Sequence, residues 1–123
     1  MPLDGITLKA IVDELSFLES ASVQKVHQPE RDEILLLLHT KNGNKKLLLS
    51  ASPASPRIHL TEREYKNPDT PPMFCMLLRK HFTGGRILSL KQLSLDRVVD
   101  ISFECHNELG DTVNKHIILE IMG

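Results

Sequence analysis

Asp96 and Arg97 form the most suggestive charged pair in this chain, at a Leu-Asp-Arg corner between two apolar stretches. An arginine's planar fork of donors suits a phosphate or a guanine edge, and a neighbouring carboxylate can hold that fork in place. The same two residues also suit a plain turn, with Asp bonded to local N–H groups and Arg solvated or ion-paired. Glu120 stands among Ile118, Leu119, Ile121 and Met122. A carboxylate on so apolar a strand needs a partner, and Arg97 is a natural one. Arg79, Lys80, His81 and Arg86 gather around Gly84-Gly85. Positive charge there complements the dipole of a helix end, and it equally suits a small patch meeting RNA phosphates. Gly84-Gly85-Arg86 reads first as a helix cap and second as a source of N–H groups for a phosphate.

Other reactive residue types are present without a recognisable constellation. If Met1 is removed, Pro2 becomes a secondary amine able to act as a nucleophile. The plainer reading is a loosely ordered terminal proline. Cys75 and Cys105 stand far apart with no C-x-x-C, which reads first as reduced, buried thiols in a cytosolic protein and second as a disulfide between them. The six histidines, His27, His39, His59, His81, His106 and His116, show no zinc-site spacing. There is no phosphate loop, dinucleotide fingerprint, zinc-protease helix or nucleophile elbow, so no cofactor or metal is implied.

At 123 residues, 41% of them hydrophobic, the chain amounts to one domain with one core. Fifteen Lys and Arg face sixteen Asp and Glu, so bulk charge does not advertise nucleic acid, and RNA contact must come from a local patch. No apolar run reaches the roughly 18 residues of a membrane span, and Asp4, Asp13 and Glu14 interrupt anything like a signal peptide. The chain stops just after the apolar run Ile117 to Ile121, which suggests a piece of a longer protein.

These residues must be positioned by about seven strands and two helices. Asp4 suits a first helix cap, and Leu8, Ile11, Val12, Leu15 and Leu18 mark one helical face. Strands follow at 22–28, 33–40, 46–50 and 57–60, with Asn42-Gly43 in a tight hairpin turn. The four leucines Leu35 to Leu38 imply burial on both faces over part of the strand's length. A second helix starts at Thr70-Pro71-Pro72, with Phe74, Leu77, Leu78 and Phe82 as its stripe. The strand from Arg86 changes phase between Leu88/Leu90 and Leu93/Leu95, which a bulge near Gln92 would explain. Strands at 97–106 and 113–122 complete the count. Short connections favour antiparallel pairing, and an α+β domain built on an antiparallel β-sandwich fits best.

An ordered set of phrases runs through the chain: Asp4-Gly5, Val26-x-Gln28-Pro29, Leu47 to Ala51, Arg57 to Thr61, Pro72 to Lys80, Gly84 to Ile87, Leu95-Asp96-Arg97 and Glu120 to Gly123. Over essentially its whole length, the chain resembles the N-terminal domain of the NFACT family. That family includes bacterial fibronectin-binding protein A, the tailing factor RqcH and the eukaryotic nuclear export mediator factor. The resemblance implies a non-enzymatic cytoplasmic module that binds tRNA and the large ribosomal subunit obstructed by peptidyl-tRNA. It further implies recruitment of alanyl-tRNA for C-terminal tailing of stalled chains. It ties the pair matching Asp96-Arg97 to tRNA recognition, and Glu120, Ile121, Met122 and Asp4 to the same surface. Arg79, Lys80 and Arg86 stand beside these as candidate phosphate contacts. Some bacterial members carry the label of fibronectin or fibrinogen binding, which makes a surface adhesin the first alternative. The domain also resembles in fold that of formamidopyrimidine-DNA glycosylase, which uses an N-terminal Pro and an adjacent Glu. Here Leu3 follows Pro2, so a glycosylase-like enzyme using Pro2 lacks its carboxylate.

Overall fold

The computed structural model describes residues 5–93 and 97–121. Helix α1, Gly5–Glu14, runs into a 3-10 helix, Leu15–Leu18. Leu8, Val12, Leu15 and Leu18 are buried, as their spacing predicts, while Asp4 lies outside the described residues. Four strands follow: β1 Ser22–His27, β2 Glu33–Thr40, β3 Gly43–Ser50 and β4 Arg57–Thr61. Helix α2 spans Met73–Phe82, and β5 Arg86–Gln92, β6 Val98–His106 and β7 Thr112–Glu120 complete the elements of the described residues.

All seven strands belong to one antiparallel sheet in the order β4-β3-β2-β1-β5-β6-β7. The two layers expected of a sandwich are thus hydrogen-bonded halves of one sheet, β1–β4 and β5–β7. They meet at a narrow seam where Ser22 pairs with Arg86. Around that pair, Ser20 N–H bonds Ile87 O at 2.7 Å, Val23 N–H bonds Gly85 O at 2.8 Å and Gly84 N–H bonds Val23 O at 2.8 Å. The connection from β4 to β5 carries α2 back from the sheet's edge to its middle. Helix α2 packs on β1 and β6, and α1 with the 3-10 helix packs on β5, so both helices brace the seam.

A single core joins the halves. Leu36, Leu38, Leu47, Leu49 and Ile58 meet Ile87, Val99, Ile101, Phe103 and Leu119 in one cluster. Phe103 sits edge-on to Phe82, with ring centroids 4.9 Å apart. Leu35 and its register partner Leu48 are buried outside that cluster, so β2 is covered on both faces over part of its length, as its run of leucines implies. The hairpin turn falls at Lys41-Asn42, and Gly43, with φ of +104°, takes the left-handed conformation that Gly tolerates best.

Two expectations are corrected. The bulge in β5 lies between Ile87 and Ser89, not near Gln92. It turns Leu88 out to 40% exposure and lets Ile87 and Leu90 both face the core. The buried stripe of α2 is Cys75, Leu78 and Phe82, whereas Phe74 and Leu77 are half-exposed beside Met73 and Met76. The cause is the anchoring of α2 to β1. Arg79 Nε donates to Val26 O at 2.8 Å, and Cys75 Sγ donates to the same oxygen at 3.5 Å. These bonds fix the helix's rotation and give the inward position to the small thiol rather than to Phe74.

Candidate functional site

The corner between β5 and β6 is built from four separate segments of the chain. Leu93 N–H bonds Val98 O at 3.0 Å, closing the connection between the strands. Ile121 N–H bonds Arg97 O at 2.7 Å and Glu120 pairs with Val98, so the end of β7 lies against the corner. Gln92 Nε2 donates to Gly5 O at 2.8 Å, which brings the start of α1 to the same end of the sheet. Gly5, Arg97 and Glu120 to Ile121 are therefore neighbours, although 116 positions separate Gly5 from Ile121. Asp4, Asp96 and Met122 adjoin these segments in sequence but lie outside the described residues.

Arg97 is half-buried, and among the described residues its guanidinium has no hydrogen-bond or ion-pair partner. Such a group has its five donors available to an outside acceptor. Ile121 is fully buried and anchors the end of β7 in the core. Glu120 departs from expectation. It is exposed rather than buried, and it forms no ion pair with Arg97. Strand parity explains this. Leu119 points inward on an edge strand, so Glu120 must point outward. No partner is required for a solvated carboxylate.

The basic residues near the end of α2 do not form one patch. The Arg79 side chain is engaged at β1, with Nη2 3.3 Å from His27 Nδ1. Burial, and then the Arg79 guanidinium, hold the His27 imidazole below the ordinary histidine range. Its neutral ring is thus the native form and accepts from Arg79. Lys80 pairs at the surface with Glu108 at 3.8 Å. Lys115 Nζ lies 3.0 Å from His81 Nδ1. Arg86 is exposed and faces a different hollow at the sheet's seam. The Gly84 and Gly85 N–H groups are bonded to Val23 O and Phe82 O, so the glycine pair caps α2 and offers no cradle to phosphate.

That seam hollow was not visible in the sequence. It measures about 560 Å³ and draws on the 3-10 helix, the start of β1, the β2–β3 turn and Arg86. Cys75 and Cys105 are free and buried. Burial, ahead of the opposing effect of Lys115, pushes the Cys105 thiol up and keeps it protonated. Among the described residues no helix is long and apolar enough to cross a membrane.

Comparison with known proteins supplies the context for this geometry. The chain is 40% identical over 124 residues to the Rqc2 homolog RqcH of Bacillus subtilis, aligning along all of its own length and 22% of the relative's. It is 33% identical over 117 residues to the human ribosome quality control complex subunit NEMF, covering 94% of this chain and 10% of that one. Among solved structures, the N-terminal domain of fibronectin-binding protein PavA from Streptococcus pneumoniae superposes with a TM-score of 0.94 at 40% identity, over 98% of this chain and 48% of that one. The fibrinogen binding protein from Staphylococcus aureus superposes at 0.88 and 41% identity, over 98% of this chain and 42% of that one. The chain thus spans about a fifth of the length of the bacterial curated relatives. Residues 4–123 match the family described as NFACT N-terminal and middle domains, and this chain belongs to that family.

Proposed function

We propose that this chain is the tRNA-contacting N-terminal module of a cytoplasmic ribosome quality control factor, acting at the large subunit on peptidyl-tRNA-obstructed ribosomes. The observation that carries this reading is the half-buried Arg97, whose guanidinium has no partner among the described residues, at a corner joined by three other segments. A fork whose backbone is bonded to Ile121, and which has no acceptor among the described residues, is suited to bidentate recognition of phosphate or guanine. The relatives' names support the ribosomal setting. In this reading Asp96 orients Arg97, and Glu120, Met122 and Asp4 border the contact, with Ile121 as its buried anchor. Recruitment of alanyl-tRNA for C-terminal tailing is the corresponding activity of the intact protein, and the module itself binds rather than catalyses.

The test is to sequence the RNA that co-purifies with the intact protein, wild type against Asp96→Ala/Arg97→Ala. Enrichment of tRNA in the wild type and its loss in the variant are expected. Equal tRNA recovery from both defeats the proposal.

A second reading, a fibronectin- or fibrinogen-binding adhesin, is favoured by the descriptions of the solved relatives. Protease shaving of intact cells separates the two, since only a surface protein is cleaved. No observation on the described residues favours the glycosylase-like use of Pro2, which lies outside them.

A further inference from the structure

The hollow at the sheet's seam combines three features that RNA-binding surfaces share. Arg86 and Lys41 are exposed, and among the described residues neither has an ion-pair or hydrogen-bond partner for its charged group. Phe17 is a large aromatic left 49% exposed on the rim by the same 3-10 helix that buries Leu15 and Leu18. Between them the wall is polar, with Ser20, Ser22, Thr40 and Asn42. The Ser20 and Ser22 hydroxyls and the Asn42 side-chain amide match ribose hydroxyls and base edges, while the Thr40 hydroxyl is held within the turn by Gly43 O and Asn42 N–H. Ser20 has φ of 75°, a left-handed conformation uncommon for a residue with a side chain. This reversal ends the 3-10 helix and places Phe17 and Ser22 on the same hollow.

We infer that this hollow is a ribonucleotide site. It holds one RNA phosphate between Arg86 and Lys41 and one base against Phe17, with Glu19 on the rim facing ribose hydroxyls or an exocyclic amine. An acidic peptide would use the two cations but would leave the aromatic ring and the hydroxyl-lined wall without a role. A single nucleotide uses all three. Two cations in one concave place also overcome a net charge of −1 that gives no long-range attraction. The site lies at the start of β5 and the Arg97 corner just past its other end, about 20 Å away at roughly 3.3 Å per residue. The inference stands on the hollow alone and does not require the corner to bind tRNA.

The experiment uses the intact protein and a fluorescent eight-nucleotide oligouridylate carrying 4-thiouridine, with inorganic phosphate as competitor. Phe17→Ala is expected to weaken binding roughly 5- to 150-fold, the range for loss of one stacked base. Lys41→Ala/Arg86→Ala is expected to reduce the slope of log affinity against log salt by about 0.7, the contribution of one phosphate contact on a single strand. Photo-crosslinks are expected on peptides containing residues 17–22 and 39–42. Arg97→Ala serves as the separating arm. If it abolishes tRNA recovery but leaves these crosslinks, the two sites are distinct. Unchanged affinity and salt slope in folded Phe17 and Lys41/Arg86 variants overturn the inference. So does complete displacement of the oligonucleotide by millimolar phosphate, which would make the hollow a simple anion site.

Discussion

Arg97 and His27 show how a local environment decides what a side chain is free to do. Among the described residues the Arg97 guanidinium has no hydrogen-bond or ion-pair partner, so its loss breaks no such bond there. Arg97→Ala is expected to change unfolding free energy by no more than about 0.5 kcal/mol, as for a surface substitution. Its tRNA affinity is expected to fall roughly 5- to 150-fold, the worth of one good bidentate pair. Filter binding beside urea denaturation measures both, and a large stability loss would mean that the guanidinium is structural. Arg79 is the opposite case, since its donors are already used by Val26 O and His27. His27 titrates below the ordinary value of about 6.5 because burial and Arg79 both disfavour its charged form. The unfolded chain therefore takes up this proton at a higher pH than the folded one. Stability from the neutral ring is full above about pH 6.5 and is lost as pH falls through the folded midpoint. An NMR titration is expected to place that midpoint below 6.5 and to move it upward in Arg79→Gln. No movement would mean that burial alone sets it.

Helix α2 carries the sharpest lesson about packing. Its phase is fixed by Cys75, Leu78 and Phe82 facing inward and by two donors to Val26 O. Leu78→Ala is expected to cost about 2–5 kcal/mol, as for other buried leucines, whereas Phe74→Ser is expected to stay within about 0.5 kcal/mol. Thermal unfolding of the two variants decides between this phase and one that buries Phe74. The end of the helix depends on Gly85. A Cβ there would stand 2.8 Å from Cys105 Sγ and 2.9 Å from Phe82 O, and the carbonyl belongs to the backbone that caps the helix. Gly85→Ala is expected to destabilise by about 1–3 kcal/mol through overpacking, measured by denaturant titration. At Gly84 there is open space, and the cost of Ala arises from its φ of +85° alone, about 1 kcal/mol.

The seven strands meet at a narrow seam yet share one core, and this decides how the molecule unfolds. Leu36 and Phe103 lie in different halves of the sheet but in the same buried cluster. Leu36→Ala and Phe103→Ala are each expected to lower a single cooperative transition, by about 2–5 and 3–5 kcal/mol respectively. Two separate transitions in either variant would show that the halves fold independently. The seam also places the concave hollow with Arg86 at one end of β5 and the Arg97 corner at the other.

Much of this architecture is legible in the chain because period and turn chemistry are local. The alternation Val99, Ile101, Phe103, Cys105 marks β6, and all four are buried. The leucine run marks a strand covered on both faces, and Asn42-Gly43 marks its hairpin. Where a long-range contact chooses between local options, the sequence is silent or misleading. The bulge at Leu88 is set by pairing with β6, the rotation of α2 by a carbonyl on β1, and the exposure of Glu120 by its place on an edge strand. Residue identity determined the strands, helices and turns, because side-chain period and backbone preference act over a few positions. Only the tertiary structure decided which residues meet at the corner and the seam. Those meetings depend on hydrogen bonds such as Gln92 to Gly5 and Ser20 to Ile87, which join segments far apart in the chain.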